Sequence, residues 1–139
     1  MSSQGYADLI GSSDGKDLHW TCDINTELPI KMAASGRGAS IKPETLPIFF
    51  KKTAMLRKDG PAISVMRNKK AYTWTWNQYY ADSMAFAKSL HAISVDPRKS
   101  VNIMGFNSPE WAISYMGALM HNNVACGVYT TNGADACQY

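Results

Sequence analysis

The chain is poor in cysteine, holds no long apolar run and carries no block of like charge, and each shortage removes a class of protein. Its three cysteines, Cys22, Cys126 and Cys137, are odd in number and show no C-x-x-C spacing. That argues against a disulfide framework or a zinc ribbon and for reduced thiols in a cytosolic compartment. The densest apolar stretch, residues 111–120, is about half of what a bilayer crossing needs; any membrane contact is expected to be peripheral. The first ten residues lack a basic region followed by an apolar one and do not read as a secretory signal. The formal charge of +3 is spread over pairs such as Lys51-Lys52, Arg57-Lys58 and Lys69-Lys70. This is the pattern of solvated faces, and it gives no footing for a nucleic-acid partner.

Motifs that carry chemistry are equally sparse. The run from Gly11 to Lys16 is one residue short of a phosphate loop and is followed by Asp17 where that loop needs a hydroxyl residue. Gly36-Arg37-Gly38 has no preceding strand and reads as a turn. His19, His91 and His121 stand far apart in the sequence, with neither one-turn helical spacing nor a cysteine partner, which argues against zinc. No local spacing pairs a nucleophile with a base.

What is present is an α/β pattern. Residues 1–17 are rich in Ser and Gly and read as a flexible leader; residues 18–44 have weak periodicity and read as an irregular arm. From Thr45, a candidate N-cap, Leu46, Phe49, Phe50 and Thr53 follow helical spacing until Asp59-Gly60-Pro61 stops it. Residues 62–66 and 71–74 read as two strands of a hairpin about the polar turn Asn68-Lys69-Lys70. Thr75 and Gln78 have capping-box spacing. Behind them Trp76, Tyr79, Tyr80, Met84, Ala87 and Leu90 form one apolar stripe of a helix that ends before Pro97. Trp74, Trp76, Tyr79 and Tyr80 could stack on bases or sit at a lipid surface, but their helical spacing favours a core role.

Residues 101–106 then read as a short strand. Ser108, Pro109 and Glu110 open a helix as cap, first residue and dipole partner. That helix runs to about His121, with Asn122 or Asn123 suited to left-handed geometry beyond it. Residues 124–129 form a further buried-type strand, completing a parallel, right-handed βαβ unit. Tyr129, Thr130 and Thr131 leave its carboxyl end, where open α/β sheets bind ligands. The same loop reads equally well as a plain connection to a helix opened by Asn132-Gly133. Residues 134–139 give barely one turn of that helix, too little to bury a face, so the chain reads as truncated. Residues alone thus yield an α/β fragment with a possible ligand edge and no catalytic machinery.

Three segments add a resemblance. Thr73-Trp74-Thr75-Trp76-Asn77-Gln78-Tyr79-Tyr80, then Gly105-Phe106-Asn107-Ser108-Pro109-Glu110-Trp111, then Tyr129-Thr130-Thr131-Asn132-Gly133 resemble the corresponding runs of bubblegum-type long-chain fatty acyl-CoA synthetases, in the adenylate-forming superfamily. The likeness spans roughly residues 18–139. It implies that residues 45–139 are an incomplete amino-terminal subdomain of an AMP-binding, adenylate-forming domain. It further implies ATP, CoA and Mg2+ as cofactors of the complete enzyme, a long-chain fatty acid as substrate, and cytoplasmic placement, peripheral to the endoplasmic reticulum or other internal membranes. The family's phosphate loop, nucleotide contacts and catalytic lysine would come from a missing carboxy-terminal chain, leaving no catalytic residue here. Tyr129, Thr130 and Thr131 correspond to a loop that approaches CoA in related synthetases. This chain departs from the family in having Ile93-Ser94-Val95 for Leu-Gly-Val, Lys99 for an acidic residue, and His121-Asn122-Asn123 for Ala-Gly-Gly. The rival expectation is a non-catalytic binding or regulatory module that contacts CoA or a lipid surface.

Overall fold

The computed structural model describes residues 25–27, 35 and 40–138. The chain divides into two compact units, Met1–Pro43 and Glu44–Tyr139. The leader lies outside the described residues, as does nearly all of the arm. The second unit holds every helix and strand described, in the order α1 (Leu46–Arg57), β1 (Pro61–Arg67), β2 (Lys70–Thr75), α2 (Trp76–Ala92), β3 (Ser100–Met104), α3 (Pro109–Met120), β4 (Val124–Val128) and α4 (Ala134–Gln138).

Local chemistry explains each boundary. Thr45 holds the N-cap position of α1 in extended geometry but makes no side-chain cap bond, and Pro47 sits in the first turn. The apolar stripe is offset from the expected one: Phe50 and Ala54 are buried, whereas Leu46 and Phe49 are both 58% exposed. The reason is tertiary. Phe50 meets the rings of Tyr79 at 4.7 Å, Tyr80 at 5.6 Å and Trp76 at 6.4 Å, all from the start of α2. The amides of Trp76 and Asn77 also donate to the carbonyls of Gly60 and Lys58, tying that start to the end of α1.

β1 and β2 pair antiparallel, with Arg67 opposite Lys70. Asn68 and Lys69 between them take φ of 49° and 61°, the left-handed two-residue turn whose twist matches the strands. Thr75 then caps α2 through a full capping box with Gln78. The expected stripe of α2 is buried or half-buried throughout, together with Ser83, which is fully enclosed. Its partner is α3, which approaches closely at Gly117. A β-carbon there would stand 2.7 Å from both the Ser83 carbonyl oxygen and the Phe86 ring.

β3 and β4 are parallel, in register from Ser100–Val124 to Met104–Val128, with α3 as the crossover. Val101 and Ile103 turn inward toward α3, while Ser100, Asn102 and Met104 are exposed on the other face. The pair is therefore covered on one face only. Val124, read from sequence as part of a buried-type strand, is 58% exposed.

α2 and α3 end in the same way. Ser94 and Asn122 have φ of 59° and 64°. Each following residue returns its amide to the last turn, Val95 to Leu90 and Asn123 to Ala118. These are the reversed bonds of a left-handed C-cap. Asn tolerates that conformation; Ser does so at a cost that glycine avoids. Ser94→Gly is expected to stabilise the unit by about 0.5–1 kcal/mol, seen as a small rise in the denaturant midpoint with unchanged slope.

Asn123 is the buried link of the second cap. Its Nδ2 donates to the carbonyls of Asp96 at 2.8 Å and Lys99 at 3.2 Å, fastening the loop before β3.

Candidate functional site

At the carboxyl ends of β3 and β4 lies a cleft of about 460 Å³. Parallel pairing puts both strand ends on one edge, which is where α/β sheets of this kind receive ligands. The loop after β3 contributes Gly105, Phe106 and Asn107, and the β4 end contributes Gly127, Val128, Tyr129 and Thr130. Trp111, from the first turn of α3, completes the wall.

The tryptophan is positioned by the cap. The Ser108 hydroxyl accepts from the Trp111 amide at 3.2 Å, fixing the helix start. The indole runs past both glycines: a β-carbon on Gly127 would meet it at 3.5 Å and one on Gly105 at 3.9 Å. Tyr115 stacks on it at 5.6 Å, nearly parallel. Phe106 and Tyr129 stand about 80% exposed at the mouth. No lining residue is charged. Such a wall suits a planar or apolar group held by hydroxyl and amide hydrogen bonds, and it offers no nucleophile–base pair.

Of the loop residues singled out from sequence, Tyr129 and Thr130 line the cleft and Thr131 does not. The Tyr129 carbonyl accepts the Asn132 amide at 3.0 Å, turning the chain toward α4 just past the wall. Phe106, Asn107 and Trp111 were read only as a strand end and a helix start. The rule that pointed to the end of β4 applies equally to the end of β3, and would have found them.

Other conspicuous side chains are structural. The Tyr79 hydroxyl donates to the Ala112 carbonyl at 3.2 Å, linking α2 to α3. Burial, with a smaller contribution from Tyr115, pushes its pKa up to about 12. The Trp74 indole donates to Asp82 at 3.0 Å. Arg67 Nη2 reaches both oxygens of Glu110, at 2.6 and 2.7 Å, joining the hairpin to the start of α3. That bond, with the helix-start amide, holds the Glu110 carboxyl below its ordinary range. Both partners are exposed, so the pair adds little to stability. Cys126 and Cys137 are free, exposed thiols. They line a second cavity, of about 620 Å³, on the uncovered sheet face.

A parallel βαβ unit with a neutral aromatic cleft at its carboxyl edge defines an α/β domain, and its fold is that of adenylate-forming enzymes. The structure superimposes on the fatty acid AMP ligase from Legionella pneumophila with a TM-score of 0.60 at 16% identity, over 66% of this chain and 16% of that one. The chain belongs to the AMP-binding enzyme family, whose sequence model matches residues 50–139. It is 33% identical over 120 residues to the long-chain-fatty-acid–CoA ligase ACSBG2 of Mus musculus, a match covering 86% of this chain. It is 31% identical over 138 residues to the ACSBG2 of Gallus gallus, covering 99% of this chain. The homologues are thus bubblegum-type ligases, and the chain spans about 18% of the length of these two. Among the described residues no helix is long and apolar enough to cross a membrane.

Proposed function

We propose that this chain is the amino-terminal part of a long-chain fatty acid–CoA ligase and supplies the CoA-side wall of its active centre. The carrying observation is the coincidence of family and geometry. Homology to long-chain ligases runs through the Phe106–Trp111 and Tyr129–Thr130 segments, and these meet in one cleft.

In the complete enzyme a fatty acid carboxylate attacks the α-phosphate of ATP, releasing pyrophosphate, and the CoA thiol then displaces AMP. The present residues perform neither bond change. Their part is to bind: the Trp111 and Phe106 rings offer stacking surface, and the Thr130 and Tyr129 hydroxyls and Asn107 amide offer hydrogen bonds to the CoA nucleotide. Thr131, beside the cleft, holds the turn. Among the described residues no group of three or more His, Cys, Asp or Glu stands together; Mg2+ in the complete enzyme would be held largely by the ATP phosphates and water. Remaining contacts, including the nucleotide loop and any peripheral association with internal membranes, belong to further chain packed against the uncovered face of β3 and β4.

The test uses a ligase that carries these residues as its amino-terminal part. Thr130→Val and Tyr129→Ala are each expected to raise the KM for CoA by about 5- to 10-fold, the worth of one lost hydrogen bond or stacking contact. Fatty-acid-dependent pyrophosphate release without CoA should keep its rate. An unchanged KM for CoA in both variants would remove this cleft from the CoA path.

A further inference from the structure

The C-terminal ends of α2 and α3 converge, and they bring together two histidines that lie thirty positions apart in the sequence. His91 is in the last turn of α2 and His121 is the C-cap residue of α3. Their ring centres are 6.0 Å apart, with the planes tilted by 52°. His91 is exposed and His121 half-buried, so both are reachable from solvent.

The tautomer of His121 follows from its neighbours. Asn123 donates Nδ2 to the carbonyls of Asp96 and Lys99. Its Oδ1 is therefore the atom that faces His121 Nδ1, with which it is hydrogen-bonded. An amide oxygen only accepts, so Nδ1 carries the proton and, in the neutral ring, Nε2 keeps its lone pair. This is the second-sphere arrangement that orients a metal-binding imidazole. The separation is close to what is needed. A metal–imidazole bond of about 2.0–2.1 Å puts the ion roughly 3.2 Å from a ring centre, so rings sharing one tetrahedral ion stand roughly 5.2 Å apart, within reach of the observed pair by rotation of the exposed His91 side chain. Two helix C-termini, each the negative end of its dipole, add a field that favours a cation.

We propose that His91 and His121 form a two-histidine site for a borderline divalent transition-metal ion of the zinc and cobalt class, with water completing the coordination. The site clasps the ends of α2 and α3. It is separate from the cleft and stands independently of the ligase reading.

The test is titration of the 139-residue chain with Co2+, followed by absorption and with helicity recorded alongside. Expected are saturable binding of one equivalent, ligand-field bands without a thiolate charge-transfer band, and displacement by Zn2+. His91→Ala and His121→Ala should each weaken binding by at least about tenfold. Because His91 is exposed, its replacement leaves the helices intact and keeps the comparison valid. Zinc should also slow proteolysis of the wild-type chain and lose that effect in His91→Ala. A thiolate band, binding that survives both key substitutions, or no saturable binding at millimolar cobalt would overturn the site.

Discussion

Replacing Phe50 with alanine is expected to destabilise the Glu44–Tyr139 unit by about 3–5 kcal/mol, enough to remove most of the margin of a small domain. The ring is 6% exposed and packs on three aromatic side chains at the start of α2. Only Phe50, Ala54, Ala87, Leu90 and Ala118 are buried apolar residues among those described, so it is the one large ring in that set. Its loss leaves a cavity against the Tyr79 ring, whose hydroxyl links α2 to α3 through the Ala112 carbonyl. Limited proteolysis of the chain measures this: the variant should be cut at least about 100-fold faster. Phe49→Ala, one residue away and 58% exposed, should stay within about 0.5 kcal/mol of wild type. Equal losses at both positions would mean that the stripe read from the sequence, not the one in the structure, forms the core.

Gly117→Ala sets two effects against each other. In a helix interior, alanine gains about 1 kcal/mol over glycine from backbone propensity. The added carbon, however, falls 2.7 Å from both the Ser83 carbonyl oxygen and the Phe86 ring. The ring can rotate away; the carbonyl belongs to the backbone of α2 and moves only if the helices part. Overpacking of this kind costs about 1–3 kcal/mol, and a contact with backbone at that distance belongs at the upper end. The collision wins, for a net loss of about 1–2 kcal/mol. Gly117→Val, with two more carbons against the same carbonyl, should leave no cooperative transition in urea. A more stable Gly117→Ala variant would mean that α2 and α3 are not packed this closely.

Much of this architecture was legible because its signals are local. The Thr75–Gln78 capping box and the Ser108-Pro109-Glu110 helix start act within a few residues of themselves and are found as read, and of the two asparagines offered for the left-handed position it is Asn122 that takes it. The parallel pairing of β3 with β4 followed from short links around one helix. The misreadings share a cause. Periodicity says that α1 has an apolar face but not which side α2 covers, so Leu46 and Phe49 were grouped with Phe50. The meeting of His91 with His121 depends on the α2–α3 crossing and leaves no mark on sequence spacing. The strand-end rule, applied to β4, pointed to Tyr129, Thr130 and Thr131, of which the first two line the cleft; Trp111 was hidden because a residue chosen for a helix's first turn looks the same whether or not it lines a pocket.

Product formation by a ligase that carries these residues as its amino-terminal part, given ATP, Mg2+, CoA and a saturated long-chain fatty acid, decides whether this chain serves fatty acid activation. Expected are pyrophosphate release that requires the fatty acid, acyl-CoA once CoA is added, and neither product from the 139-residue chain alone. Acyl-CoA made by that chain alone, or a complete protein that consumes no ATP with any long-chain acid, would contradict that assignment.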